Sequence, residues 1–88
     1  MPRYRRKPPE IEAWRFNAGE SEPLPDWLKA AINAGRVWFQ GGESPYYTVR
    51  THEGTIRVNS GDYIALLEGG MLYAWYGSIF EANYERVP

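Results

Sequence analysis

Arg50, Arg57, His52 and a surplus of aromatic rings are the residues with chemistry to offer. His52 is the only histidine, and the 88 residues contain no cysteine. A Cys–His dyad, thiolate chemistry, disulfides and a histidine-rich metal site are therefore excluded. No serine sits in a nucleophile-elbow pattern. Gly41-Gly42 and Gly69-Gly70 are isolated pairs, not a phosphate-cradling loop. Glu53, Asp62, Glu68 and Glu81 fall in turns or at element ends, where acids cap or meet water. The expectation is a protein that is not an enzyme, needs no cofactor, and works by binding.

The arginines carry the sharpest reading. Tyr46 to Thr51 and Thr55 to Asn59 read as strands joined at Glu53-Gly54, a hairpin-type turn. A two-residue loop there sets His52 against Thr55, Arg50 against Arg57 and Thr48 against Asn59. Val49 then meets Val58 and Thr51 meets Ile56 on the reverse. A three-residue loop would put Val49 against Arg57 and mix the faces, so parity favours the first register. Opposed guanidinium groups repel, on a cross-strand scale of about 0.2–1 kcal/mol, and something must offset this. Glu43, Glu68 or water is one answer. An anion gripped by two guanidinium forks is the other, with Tyr46 or Trp38 as a ring to stack on a base. The candidate anion site is Tyr46, Arg50, His52 and Arg57.

Tyr63 to Glu68 and Met71 to Tyr76 form a second hairpin around Gly69-Gly70. One face shows Tyr63, Ala65, Leu67, Leu72, Ala74 and Tyr76, and the other Ile64, Leu66, Met71, Tyr73 and Trp75. Both are apolar. Two greasy faces in so short a chain predict either barrel-like closure or a patch that meets a partner or a second copy. Tyr73, Trp75 and Tyr76 would anchor such a contact.

These hairpins need a frame. Residues 10–16 suit a first strand, with Ile11 and Ala13 alternating with Glu12, Trp14 and Phe16. Residues 25–34 form the clearest helix: Pro25 and Asp26 suit its start, Gly35 its stop, and Trp27, Leu28, Ala31 and Ile32 make one apolar stripe. Val37-Trp38-Phe39 is a short strand. Ser78-Ile79-Phe80-Glu81 is a capping-box pattern opening a short helical turn, and Tyr84 to Val87 reads as a final strand. The expected architecture is α+β: about five to seven short antiparallel strands in a small curled, barrel-like sheet, with one main helix packed on it.

At this length there is room for one domain. A basic, proline-containing lead-in spans residues 1–9 and the domain spans 10–88. Arg3, Arg5, Arg6 and Lys7 place +4 in the lead-in, against a net charge of −1 for the whole chain. The body is therefore acidic, and the pI of about 5.8 lies far below the value above about 9 of a typical nucleic-acid-binding domain. Contact with nucleic acid through the arginine-rich start is the minority reading. Aromatic residues at 16% argue against disorder. No apolar run reaches the roughly 20 residues of a membrane span, and no signal-peptide pattern opens the chain.

The order of motifs resembles a widespread family of small bacteriophage and prophage proteins. Tyr4-Arg5-Arg6-Lys7-Pro8 leads to Ile11-Glu12-Ala13, and Pro25-Asp26-Trp27-Leu28 opens a helix. Gly54-Thr55-Ile56-Arg57-Val58, Gly61-Asp62-Tyr63-Ile64, Ile79-Phe80-Glu81 and Tyr84-Glu85 follow. The chain departs from the family pattern at Ser60, at Tyr73-Ala74-Trp75 and at Gly77-Ser78. The resemblance implies a phage product in the host cytoplasm, with no agreed activity. The leading expectation is a phage accessory protein that binds a host or defence component, or itself as a homo-oligomer. A sponge for an anionic nucleotide-type small ligand is the alternative.

Overall fold

Proline at a helix entry sacrifices no hydrogen bond, and the expected helix forms as α1 (Asp26–Asn33) with Pro25 as its N-cap. The Pro25 carbonyl accepts from the N–H groups of Leu28 and Lys29, both at 3.0 Å. Gly35, at φ +75°, ends it. The Gly35 N–H bonds the Ile32 carbonyl and the Arg36 N–H the Ala31 carbonyl, the paired closure that a left-handed residue makes possible. In this computed structural model residues 2–3 and 11–87 are described; Arg5, Arg6, Lys7 and Pro8-Pro9 of the lead-in lie outside them.

Among the described residues there are six short strands: β1 (Glu12–Arg15), β2 (Val37–Gln40), β3 (Tyr46–Thr51), β4 (Gly54–Val58), β5 (Tyr63–Leu66) and β6 (Leu72–Trp75). The fold is α+β, but the strands do not make one barrel-like sheet. They divide into two three-stranded antiparallel sheets, β1-β5-β6 and β2-β3-β4. The division falls at residues 59–62. There Gly61, at φ +96°, turns the chain away from β4 and fastens it to the end of β1. The Gly61 N–H donates to the Phe16 carbonyl at 2.6 Å, and the Phe16 N–H to the Asp62 carbonyl at 2.9 Å.

The two sheets and α1 enclose the core. Trp14, Ile64, Leu72 and Ala74 point in from one sheet, Val37, Val49 and Val58 from the other, and Leu28 and Ala31 from α1. Fully burying each aliphatic side chain contributes about 1.5–3 kcal/mol. An aromatic cluster closes one end: Tyr47 meets Phe16 at 5.0 Å and Trp14 at 5.6 Å, both edge to face, the arrangement ring quadrupoles favour. The Trp14 Nε1–H donates to the Glu22 carbonyl at 2.9 Å.

The second hairpin corrects the expected facing. Its loop is Glu68–Gly70, a 3-10 turn, one residue longer than a Gly69-Gly70 loop. Tyr63 therefore opposes Trp75 and Ala65 opposes Tyr73, while Ile64 opposes Ala74 and Leu66 opposes Leu72. A one-residue slip exchanges faces. Ile64, Leu66, Leu72 and Ala74 thus share the core side, and Tyr63, Ala65, Tyr73 and Trp75 the outer side.

That outer side is covered by α2 (Gly77–Asn83). Phe80 stacks on Tyr63 at 4.1 Å and on Tyr84 at 4.8 Å, with Trp75 at 5.9 Å from Phe80. The helix starts at Gly77, not at a Ser78 capping box, and no side chain of its own N-cap residue, Tyr76, caps it. Instead Asp62 Oδ1 accepts the Gly77 N–H at 3.0 Å, and Oδ2 accepts the Asn59 N–H at 3.1 Å. A Cβ on Gly77 would collide with the Gly61 carbonyl oxygen, so only glycine allows this approach. Tyr84 to Val87 pairs with no strand among the described residues. No described helix is long and apolar enough to cross a membrane.

Candidate functional site: the outer face of the β2-β3-β4 sheet

The first hairpin keeps its faces but not its partners. The turn is His52-Glu53, with Thr51 paired to Gly54 and Arg50 to Thr55; Arg57 faces Thr48, not Arg50. The Thr51 hydroxyl explains the choice. Thr51 Oγ1 accepts the Glu53 N–H at 3.1 Å and donates to the Gly54 carbonyl at 2.7 Å, a local bond typical of threonine at turns. Gly54, at φ +121°, supplies the positive φ that neither His52 nor Glu53 adopts. The register slips by two residues, and a slip of two leaves every side chain on its own face.

Val37, Tyr47, Val49, Ile56 and Val58 consequently face the core, and the opposite face is open. Across it, Trp38, Thr48 and Arg57 form one row. Arg50 and Thr55 lie on one side of that row, Gln40 and Tyr46 on the other. Arg50 Cζ sits over the Trp38 ring at 5.8 Å from its centroid, and Arg57 Cζ over the Tyr46 ring at 3.7 Å. Each is a diagonal contact to the neighbouring strand. Each pair contributes about 0.5–1 kcal/mol at an exposed site.

With Arg57 opposite Thr48, the direct opposition of like charges that called for compensation is absent, and each guanidinium lies by an aromatic ring instead. Among the described residues neither guanidinium has a carboxylate in ion-pairing reach; the contacts of this kind there are His52 Nε2 with Glu53 Oε1 at 3.4 Å and the Arg86–Glu22 ion pair at 3.0 Å. Arg57 Nε donates to Asn59 Oδ1 at 3.0 Å, a bond that does not use its terminal nitrogens. Tyr46, Arg50 and Arg57 are brought together. His52 is not: it stands in the turn beyond the strand face.

Of the interface trio, Tyr73 and Trp75 are half-buried. They lie 4.7 Å apart, with Trp75 also 6.1 Å from Tyr84. Tyr76 is 65% exposed. The large rings of this hairpin mostly contact rings of the same chain.

A cleft of about 820 Å³ lies elsewhere, lined by Ala13, Arg15, Tyr63, Phe80, Tyr84 and Arg86 among others. No member of the Arg–aromatic face borders it. Burial pushes the Tyr63 phenol up from its ordinary value, and the nearby Glu81 carboxylate, 3.4 Å from its hydroxyl, adds to the effect. Burial also raises Tyr47. Among the described residues no three His, Asp or Glu side chains gather as a cation site.

The pairing of Arg50 with Trp38 was not readable from the first hairpin alone. It needs the register of β2 against β3, set by the five-residue connection 41–45, whose Gly41-Gly42 and Pro45 mark a turn without fixing its length. Compared with known proteins, the chain matches no family model, no curated protein and no solved structure.

Proposed function

We propose that this chain is a non-enzymatic binding protein that takes an anionic partner on the outer face of the β2-β3-β4 sheet. The observation that carries this reading is two guanidinium groups held by aromatic rings on one open face, with no carboxylate among the described residues paired to either. A guanidinium set beside a ring and not paired to a carboxylate keeps N–H groups for an oxyanion. Phage origin and a place in the host cytoplasm belong to the same proposal through the motif resemblance.

Thermal denaturation with a panel of anions (nucleotides, polyphosphate, acidic peptide) tests it. A ligand that binds the native state at 100 times its Kd adds about 2.7 kcal/mol, a rise in Tm of roughly 10 °C or more for a domain of this size. Replacing both Arg50 and Arg57 by Ala should abolish the rise and leave the ligand-free transition cooperative. No rise with any anion contradicts the proposal.

A second reading rests on Tyr76 and Ile79, 65% and 49% exposed, which adjoin one helical turn apart at the start of α2. They would meet a host or phage protein, or a second copy of the chain. Light scattering across a concentration series checks self-association, and Ile79→Glu should weaken it.

A further inference from the structure

The two Arg–aromatic pairs are not scattered over the sheet. From Arg57 over Tyr46 to Arg50 over Trp38 is a step of one strand and two residues, for the cation and for the ring alike. Diagonal neighbours of this kind stand about 7–8 Å apart. The same unit, a flat ring beside a cation, is therefore repeated once along a diagonal of an open sheet.

We infer that the occupant of this face is a single-stranded nucleic acid, its bases stacking at Trp38 and its successive phosphates meeting Arg50 and Arg57. The inference rests on the anion-binding reading above and narrows it. Three observations favour a strand over a small nucleotide. A small ligand is bound in a concavity that buries most of its surface, whereas these side chains stand on an exposed face and border no part of the described cleft. A repeated cation–ring unit matches a polymer that repeats phosphate and base. The remaining side chains of the face, Gln40, Thr48, Thr55 and Asn59, are neutral hydrogen-bonding groups, with no charge to repel a phosphate backbone.

Trp38 is the stacking platform. It is 40% exposed, and Arg50 lies at 5.8 Å, too far to cover its ring, whereas Arg57 at 3.7 Å caps Tyr46. Stacking of bases on aromatic rings is tolerant of sequence, and sheet faces of this type bind with little base preference. The net charge of −1 provides no long-range attraction, so binding depends on local contacts and responds strongly to each of them.

The test is fluorescence anisotropy of a labelled oligothymidylate of about 8 nucleotides against the full chain over a salt series. Two phosphate contacts predict a slope of log K against log salt near −1.4 for a single strand. Arg50→Ala or Arg57→Ala should each halve it to about −0.7, while Arg57→Lys keeps the slope. Trp38→Ala should weaken binding roughly tenfold or more and Trp38→Phe much less, with the slope unchanged in both. Circular dichroism confirms that each variant is folded, and the Arg→Lys and Trp→Phe pairs give a readout if an alanine variant is not. If mononucleotides or polyphosphate bind this face and the oligonucleotide does not, the inference falls and the anion-binding reading stands. If none binds, both fall. Equal binding of polyglutamate also overturns the inference, since it would show charge without stacking.

Discussion

The two hairpins, β3–β4 and β5–β6, look alike in sequence and do opposite things. Each is a pair of four- to six-residue strands joined at glycine. β3–β4 covers the core with Val49 and Val58 and leaves arginines, threonines and a tyrosine facing out. β5–β6 is covered twice, by the opposing sheet against Ile64 and Leu72 and by α2 against Tyr63 and Trp75. A strand pair with one polar face has a side to spare for recognition. One with two apolar faces has none, and recruits an extra helix to cover the second.

That contrast can be broken first at the loop of the second hairpin. Deleting Met71 with the Glu68–Gly70 loop kept would pair Leu67 with Leu72 and send Leu72 and Ala74 to the outer face. The variant is expected to lose cooperative unfolding altogether in a calorimetric scan. Retained cooperativity would mean that the facing is not what holds this sheet. The first hairpin should tolerate a corresponding rebuild: Asn-Gly in place of His52-Glu53 keeps the parity and is expected to shift Tm by only a few degrees.

Smaller but still large is Gly77→Ala. Its methyl group meets a backbone carbonyl that no rotamer change can move aside, so about 2–3 kcal/mol of overpacking is expected, or roughly 10–20 °C in Tm. Asp62→Ala removes acceptors for two N–H groups and should cost about 1–2 kcal/mol, measured by urea denaturation. A value near zero for either would detach α2 from its role as the second cover.

The smallest effect concerns alkaline pH. Tyr47 and Tyr63 titrate above the ordinary 10.0 in the folded chain because burial disfavours the phenolate. The folded state thus holds these protons more tightly than the unfolded chain, and the associated stability is full below pH 10 and lost as pH rises through the raised values. Tyr47→Phe should flatten the stability profile above pH 10, and an unchanged profile would place the titrating group elsewhere.

How far the sequence was legible follows from the same pair of hairpins. The helix at Pro25 to Gly35 was readable because its start, stripe and stop are all local. The strands were readable from alternation. The registers depended on loop position in the first hairpin and loop length in the second, neither of which a glycine alone settles. Thr51 moved the first turn by one residue and so its register by two, which spared the Arg50–Arg57 face. Glu68 joined the second loop and moved it by one, which exchanged the faces around Tyr73 and Trp75. The division into two sheets and the Asp62–Gly77 contact were not readable, because both join segments separated by intervening elements. Trp38 was recognised as a ring for a ligand, but its pairing with Arg50 depends on a third strand.

The central claim is that recognition belongs to the open face of β2-β3-β4 and support to β5–β6. Amide chemical-shift mapping during titration with the oligothymidylate tests it most directly. The Trp38 indole N–H, the Arg50 and Arg57 side-chain N–H groups and the backbone of β2 to β4 should move together, with β5, β6 and α2 unchanged. Shifts centred on Tyr63, Trp75 or α2, or none at all, would contradict it.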